Sequence, residues 1–285
     1  MNQSSYIILG AGASGLLLAY RMSLDSYFDD KSILIIDQVK DKGNDKTWCY
    51  WEDGEGEWDE LLTKKWPKVF FGSKDFTETL DISPYSYKMI RSEKFYHKLW
   101  RSIELKSNTT FVEDSVKTYT EIDNRVKVVT NKSTYFGLKL LNSILDKTVY
   151  ETQQKYPVLQ QHFVGWFVKT KTDCFDDSIA TFMDFNVPQN GNTRFMYVLP
   201  IDKNIALFEF TLFSKDLLEH SEYEEAIKDY LKEKKITDFE ILEKENGAIP
   251  MTSFKFKELN SYNILNIGTA GGWTKPSTGY TVKNS

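Results

Sequence analysis

Cysteine is scarce. Only Cys49 and Cys174 occur in 285 residues, too few for a disulfide framework and without the paired spacing of a zinc site. His97, His162 and His220 are scattered without ligand spacing, so no metal site is expected. No run of 18 apolar residues exists and residues 1–15 lack a cationic n-region, which predicts neither a membrane-spanning helix nor a signal peptide. A reducing, cytoplasmic location is expected, with peripheral attachment to the inner face of the membrane left open. Positive charge is not in excess either: 36 Lys+Arg stand against 41 Asp+Glu, a net charge of -5, so nucleic acid is not an expected partner. Repeats, low-complexity tracts and Gly/Ser linkers are absent, as is any Ser-His-Asp arrangement or nucleophile elbow.

What is present suits a soluble globule: 41% hydrophobic and 27% charged residues over a length that can bury a substantial core. The 15% aromatic content exceeds what such a core needs. A large apolar ligand would account for it, and so would aromatic-rich β structure.

Tyr6-Ile7-Ile8-Leu9 reads as a buried parallel strand, followed by Gly10-Ala11-Gly12-Ala13-Ser14-Gly15, a helical pattern over 16–22, and a second apolar run, Ile33-Leu34-Ile35-Ile36, ending at Asp37. That is one βαβ unit. Residues 40–92 read as aromatic-rich, acidic loops too polar for a continuous core element. A helix is expected around 95–100, strands at 126–129 and 139–145, and an antiparallel set at 163–169, 178–185, 194–199 and 205–211. The clearest helix is 217–234, and 264–267 is a short strand entering a glycine-rich turn at 268–272. The expected fold is α/β: a Rossmann-like FAD-binding fold with a doubly wound, mostly parallel sheet and an inserted antiparallel substrate sheet. Its expected divisions are 1–150 for the first FAD-binding part, including the 40–92 insertion, 151–255 for the substrate region and 256–285 for the return.

Gly10, Gly12 and Gly15 lie where a tight turn, the approach of a pyrophosphate and helix–strand packing leave no room for Cβ, with a helix N-terminus aimed at the phosphates. Asp37 follows Gly15 at the distance expected of a ribose-binding carboxylate and argues against a 2′-phosphate. The second glycine turn, with Gly271 and Gly272, favours FAD over NAD, because a chain that leaves a flavin fold for a substrate sheet must return to finish it. An ordinary glycine turn at a strand end is the alternative.

Several segments, in order along the chain, resemble the lycopene cyclase family, in particular its bacterial β-cyclases: the glycine motif with Ser14, Lys46-Thr47-Trp48-Cys49-Tyr50-Trp51-Glu52, Gln161-His162-Phe163-Val164-Gly165-Trp166, Phe182-Met183-Asp184-Phe185, Phe195-Met196-Tyr197-Val198-Leu199-Pro200, Leu207-Phe208-Glu209-Phe210-Thr211, Gly247-Ala248-Ile249-Pro250-Met251 and Gly271-Gly272-Trp273-Thr274-Lys275-Pro276-Ser277-Thr278-Gly279-Tyr280. The resemblance implies an enzyme of the isomerase class that uses reduced FAD, with NADPH as external reductant, to cyclise the ψ ends of lycopene to β-ionone rings without net oxidation. A flavin monooxygenase or prenyl reductase of the same fold is the enzymatic alternative, and an inactive dinucleotide-binding fragment the non-enzymatic one. Two departures matter. The family's Phe-Leu-Glu-Glu-Thr motif has Phe210 in place of its second glutamate, and family chains continue past Tyr280, so the chain reads as truncated. A helix beginning in 271–280 would be a stub, and low solubility and little activity are expected.

Cyclisation of this kind needs an acid, shelter for a cation and removal of a proton. Glu209 is the candidate acid, on a strand face with Leu207 and Thr211 while Phe208 and Phe210 face away. Desolvation and a nearby reduced flavin would raise its pKa; a solvated or ion-paired glutamate is the plainer alternative. Asp184 is a secondary acid or base candidate, whose place beside a turn equally fits a surface residue. Trp48, Trp51, Trp166 and Trp273 are candidates to line the substrate path, and each alone is as readily explained by packing.

Overall fold

In the computed structural model, which describes residues 3–281, the elements run β1 (Gln3–Leu9), α1 (Ala13–Leu24), β2 (Ile33–Asp37), β3 (Thr47–Asp53), β4 (Leu62–Trp66), β5 (Lys68–Ser73), β6 (Phe76–Asp81), β7 (Tyr85–Arg91), α2 (Ser92–Ile103), β8 (Thr109–Glu113), β9 (Val116–Ile122), β10 (Arg125–Thr130), β11 (Thr134–Asn142), the single turn α3 (Thr148–Glu151), β12 (Val158–Thr170), β13 (Ile179–Asp184), β14 (Thr193–Asp202), β15 (Ile205–Ser214), α4 (His220–Glu233), β16 (Phe239–Thr252) and β17 (Ile264–Asn266). They form two compact units. One comprises residues 1–45, 92–157 and 252–285, the other 46–91 and 158–251.

The first unit is the dinucleotide-type half. Its sheet runs β8-β2-β1-β11, all parallel, with β17 parallel beside β11 and the antiparallel meander β9-β10 continuing from β11. Apolar residues run through 7–9 of β1 and 33–36 of β2 without alternation because both sheet faces are covered there. Ile7, Leu9, Leu34 and Ile36 pack with Val126, Val128 and Tyr135. Helix α1 buries Leu16, Leu17, Ala19 and Met22, and α2 buries Phe95, Tyr96, Leu99, Trp100 and Ile103 at helical spacing, giving it a single apolar face.

The second unit is a layered β structure. A seven-stranded sheet, β16-β12-β15-β14-β13-β5-β6, carries α4 on one face, where Val164, Trp166, Phe208, Phe210 and Leu212 meet Tyr223, Ile227, Tyr230 and Leu231. Its other face packs against the three-stranded sheet β3-β7-β4, where Phe167, Phe195, Tyr197, Leu199 and Leu207 meet Trp66, Tyr87 and Met89. A capping box between Glu219 and Glu222 starts α4, three residues later than the sequence suggests.

Two expectations are corrected here. Residues 40–92 are mainly strands rather than loops, and 46–91 belong with the second unit, not with the dinucleotide half. The reason is edge pairing: β5 hydrogen bonds in parallel to β13, while β3 and β7 pair over the full length of Thr47–Asp53. Strand β16 was not anticipated, because its charged text, Glu240 to Glu245, hides a strand that pairs along β12.

Candidate active site

The glycine turn joins β1 to α1. Gly10 has φ +89°, and a Cβ there would lie 2.3 Å from Ser143 Oγ; a Cβ on Gly15 would lie 1.9 Å from the Gly10 carbonyl oxygen. Both glycines are required by the protein's own packing. Gly12 differs: it caps α1 in an extended conformation, and a Cβ there would meet nothing within 4 Å. The open side of the turn is at Gly12. No acidic residue occupies the first turn of α1, so the positive end of the helix is not neutralised from within. Asp37 is where the spacing puts it, at the end of β2. Its Oδ2 accepts from the Ala11 N–H at 2.5 Å and its Oδ1 from Lys42 Nζ at 2.9 Å, so one oxygen braces the turn and the other pairs with a lysine.

The second glycine turn approaches the first: a Cβ on Gly268 would lie 2.2 Å from Ser14 Oγ. Gly271 and Gly272 are tied to local packing, since Cβ atoms there would strike the Asn266 carbonyl and the Phe256 ring. Residues 268–271 form a 3₁₀ turn closed by Gly272 in the left-handed region, and the Trp273 N–H bonds back to the Gly268 carbonyl. The helix expected to begin in 271–280 does not form in these residues; its continuation over 282–285 lies outside the described residues.

The second unit holds the acid candidate. Glu209 sits on β15 opposite Gly165 of β12 and Tyr197 of β14. Leu207 on its face packs toward β3-β7-β4, whereas Phe208 and Phe210 pack toward α4, as the period of two requires. Phe210, at the position of the second family glutamate, is thus core beneath α4 beside Tyr223. Glu209 accepts from Thr211 Oγ1 at 2.9 Å and is half-buried. Desolvation and the charge of Glu245 push its pKa well above the usual carboxylate range, against the opposing bond from Thr211.

Glu245 was missed by the sequence reading, and only its distance along β16 hides it. It is buried, accepts from Thr47 Oγ1 at 2.6 Å, and its charge acts on Glu209. Aromatic rings share this layer: Trp51 lies 5.0 Å from Tyr87 and 5.1 Å from Phe182, which lies 5.9 Å from Tyr197.

The remaining candidates separate. Asp184 is fully buried, not a surface residue, and accepts from Tyr230 OH at 2.7 Å and from Asn186 N and Nδ2 at 3.0 and 2.8 Å. Burial would raise its pKa, but these bonds and Lys234 at 3.5 Å hold it below the ordinary value. It faces α4, on the opposite side of the sheet from Glu209. Asp184→Ala should therefore cost ~2–3 kcal/mol of unfolding free energy, measured by urea titration, by stranding Tyr230 and Asn186. Trp166 is likewise core against α4, with the ammonium groups of Lys244 and Lys228 at 5.0 and 5.8 Å from its ring, and so does not face Glu209. Alternation along β3 puts Trp51 on the side of Thr47 and Cys49, and Trp48 on the other. Trp273 belongs to the first unit. Of Trp48, Trp51 and Trp166, all in the second unit, Trp51 alone shares the Glu209 layer.

A family model described as lycopene cyclase protein matches residues 6–285. The chain belongs to the lycopene cyclase family. It is 22% identical to a lycopene beta-cyclase of Pseudescherichia vulneris over 287 residues, covering 97% of this chain and 70% of that protein. Among solved structures, a geranylgeranyl bacteriochlorophyll reductase-like protein from Thermoplasma acidophilum superposes with a TM-score of 0.74 at 10% identity, covering 100% of this chain and 75% of that one. The flavin-dependent brominase Bmp2 does so with a TM-score of 0.65 at 14% identity, covering 99% and 75%. These likenesses establish that this lycopene cyclase family member shares its fold with the reductase-like protein and with the flavin-dependent brominase. Among the described residues no helix is long and apolar enough to cross a membrane.

Proposed function

We propose that the chain binds FAD and, with the flavin reduced, cyclises the ψ ends of lycopene to β-ionone rings without net redox change. The observation that carries this reading is Glu209: a half-buried carboxyl, raised in pKa by desolvation and by Glu245, in an aromatic-rich layer and in the strand motif by which the chain resembles its family. The residues of the first unit fit FAD, because Gly12 leaves open the space at the α1 N-terminus that a pyrophosphate would fill, and Asp37 stands at the ribose position. When bound, reduced FAD supplies negative charge that stabilises a carbocation through space, and NADPH is the proposed external reductant.

The chain's own residues divide the chemistry. Glu209 delivers its proton to the terminal double bond, and burial keeps that proton in place at neutral pH. Trp51, Tyr87, Phe182 and Tyr197 exclude water from the layer and offer ring faces to the tertiary cation until the neighbouring alkene attacks it. The carboxylate that Glu209 has become then takes up a ring proton, which completes the ring and restores the acid. The test is expression in a lycopene-accumulating bacterium, of the chain alone and with any coding sequence that follows it in its genome, and pigment chromatography. β-Ring carotenoid in either form supports the reading; unchanged lycopene in both refutes it.

A further inference from the structure

Glu209 and Glu245 approach each other across a gap in the sheet. Strands β16, β12 and β15 are neighbours, and the residue between the two glutamates is Gly165. A Cβ built on Gly165 would lie 3.2 Å from Glu245 Cγ, 3.4 Å from Glu209 Cβ and 2.9 Å from Leu207 Cδ1. The missing side chain at 165 therefore makes the space in which two carboxyl groups from non-adjacent strands meet.

Their surroundings are unequal. Burial and the charge of Glu243 raise the Glu245 carboxyl as well, but the Thr47 hydroxyl at 2.6 Å and the guanidinium of Arg91 oppose that rise; Arg91 is itself paired with Glu243 at 2.6 Å and stacked 4.1 Å from the centre of the Phe167 ring. Glu209 has the Thr211 hydroxyl, the half-buried Cys49 thiol and Tyr197 on the adjacent strand, and no cation is among the groups that shift it. One proton shared by such a pair rests on the carboxyl without a cation, and the carboxylate favoured by Arg91 and Thr47 accepts the hydrogen bond.

We propose that Glu245 is the positioning residue of the acid: its carboxylate accepts the hydrogen bond of protonated Glu209, keeps the proton on Glu209 at neutral pH and fixes which oxygen carries it. The second family glutamate, replaced by Phe210 and turned to the other face, is not needed for this, because the partner comes from β16. The proposal rests on Glu209 as the acid, so its test must not depend on activity alone.

The decisive readout is the infrared carbonyl stretch of a protonated carboxylic acid in the purified protein, assigned to Glu209 by its loss in Glu209→Gln and followed through a pH titration. Glu245→Gln removes the negative neighbour while keeping shape, so the Glu209 band should disappear at a pH lower by about one unit or more. Gly165→Ala wedges a methyl group between the stems of the two glutamates, forcing them apart, and should shift the band the same way by less; it decides the matter if Glu245→Gln fails to fold. In the cyclisation assay the alkaline limb of the kcat profile should move with the band, with KM little changed. A band that titrates at the wild-type pH in both variants overturns the proposal. A wild-type protein that shows the band and its shifts yet does not act on lycopene would instead overturn the proposed reaction while leaving the pair intact.

Discussion

Glu209→Gln is expected to lower cyclisation turnover by about 10²- to 10⁴-fold, the usual worth of a positioned general acid, with flavin content and folding retained. The amide matches the carboxyl in shape and can still accept from Thr211, yet it has no acidic proton to give. The same variant has a thermodynamic signature. A carboxyl whose folded pKa is raised binds more protons folded than unfolded, so its contribution to stability is full below the unfolded value and is lost as pH rises through the folded one. Between the ordinary glutamate range and the raised pKa of Glu209, wild-type stability should therefore fall with rising pH, and Glu209→Gln should flatten that slope in calorimetric scans. Equal turnover in wild type and variant would remove Glu209 from the chemistry.

Gly12→Val is expected to abolish flavin retention while leaving the fold intact. The backbone at Gly12 is extended, with φ -84° and ψ -171°, which valine adopts readily, and the space beyond its Cβ is empty of protein. A branched side chain there harms only what approaches from outside, namely the phosphates. Gly15→Ala provides the contrast: its methyl would meet the Gly10 carbonyl at 1.9 Å, prying α1 from the turn at a cost of about 3 kcal/mol or more. Flavin absorbance of the purified variants and their unfolding midpoints separate the two effects. A yellow Gly12→Val protein at wild-type stoichiometry would contradict the cofactor assignment.

The dinucleotide half is legible because its signals are local. Continuous apolar strands, glycines at fixed offsets and Asp37 all fall within one βαβ unit, and each has a direct physical reason. The second glycine turn is less so: Gly271 and Gly272 look like cofactor contacts in the sequence, yet Asn266 and Phe256 already account for them. The face of Glu209 follows from the two-residue period of β15, whereas its partner does not, since Glu245 comes from β16 and reaches it only through sheet pairing across Gly165. Periodicity also cannot tell which layer covers a face. Trp166 and Asp184 sit on good strands and in family-like segments, but their faces turn to α4, where they serve packing and a buried hydrogen-bond network. Residues 46–91 hid five strands because short, aromatic, half-exposed strands carry too little apolar text to stand out from loops.

The central claim, cyclisation without net redox change, is tested most directly by the ratio of product to reductant. Protein carrying FAD, in whichever of the two expressed forms is active, would be supplied with lycopene and limiting NADPH without oxygen. The account predicts β-ring product of unchanged mass in many-fold molar excess over NADPH consumed. One NADPH oxidised per product molecule, with a product of altered mass, would contradict it and identify a reductase.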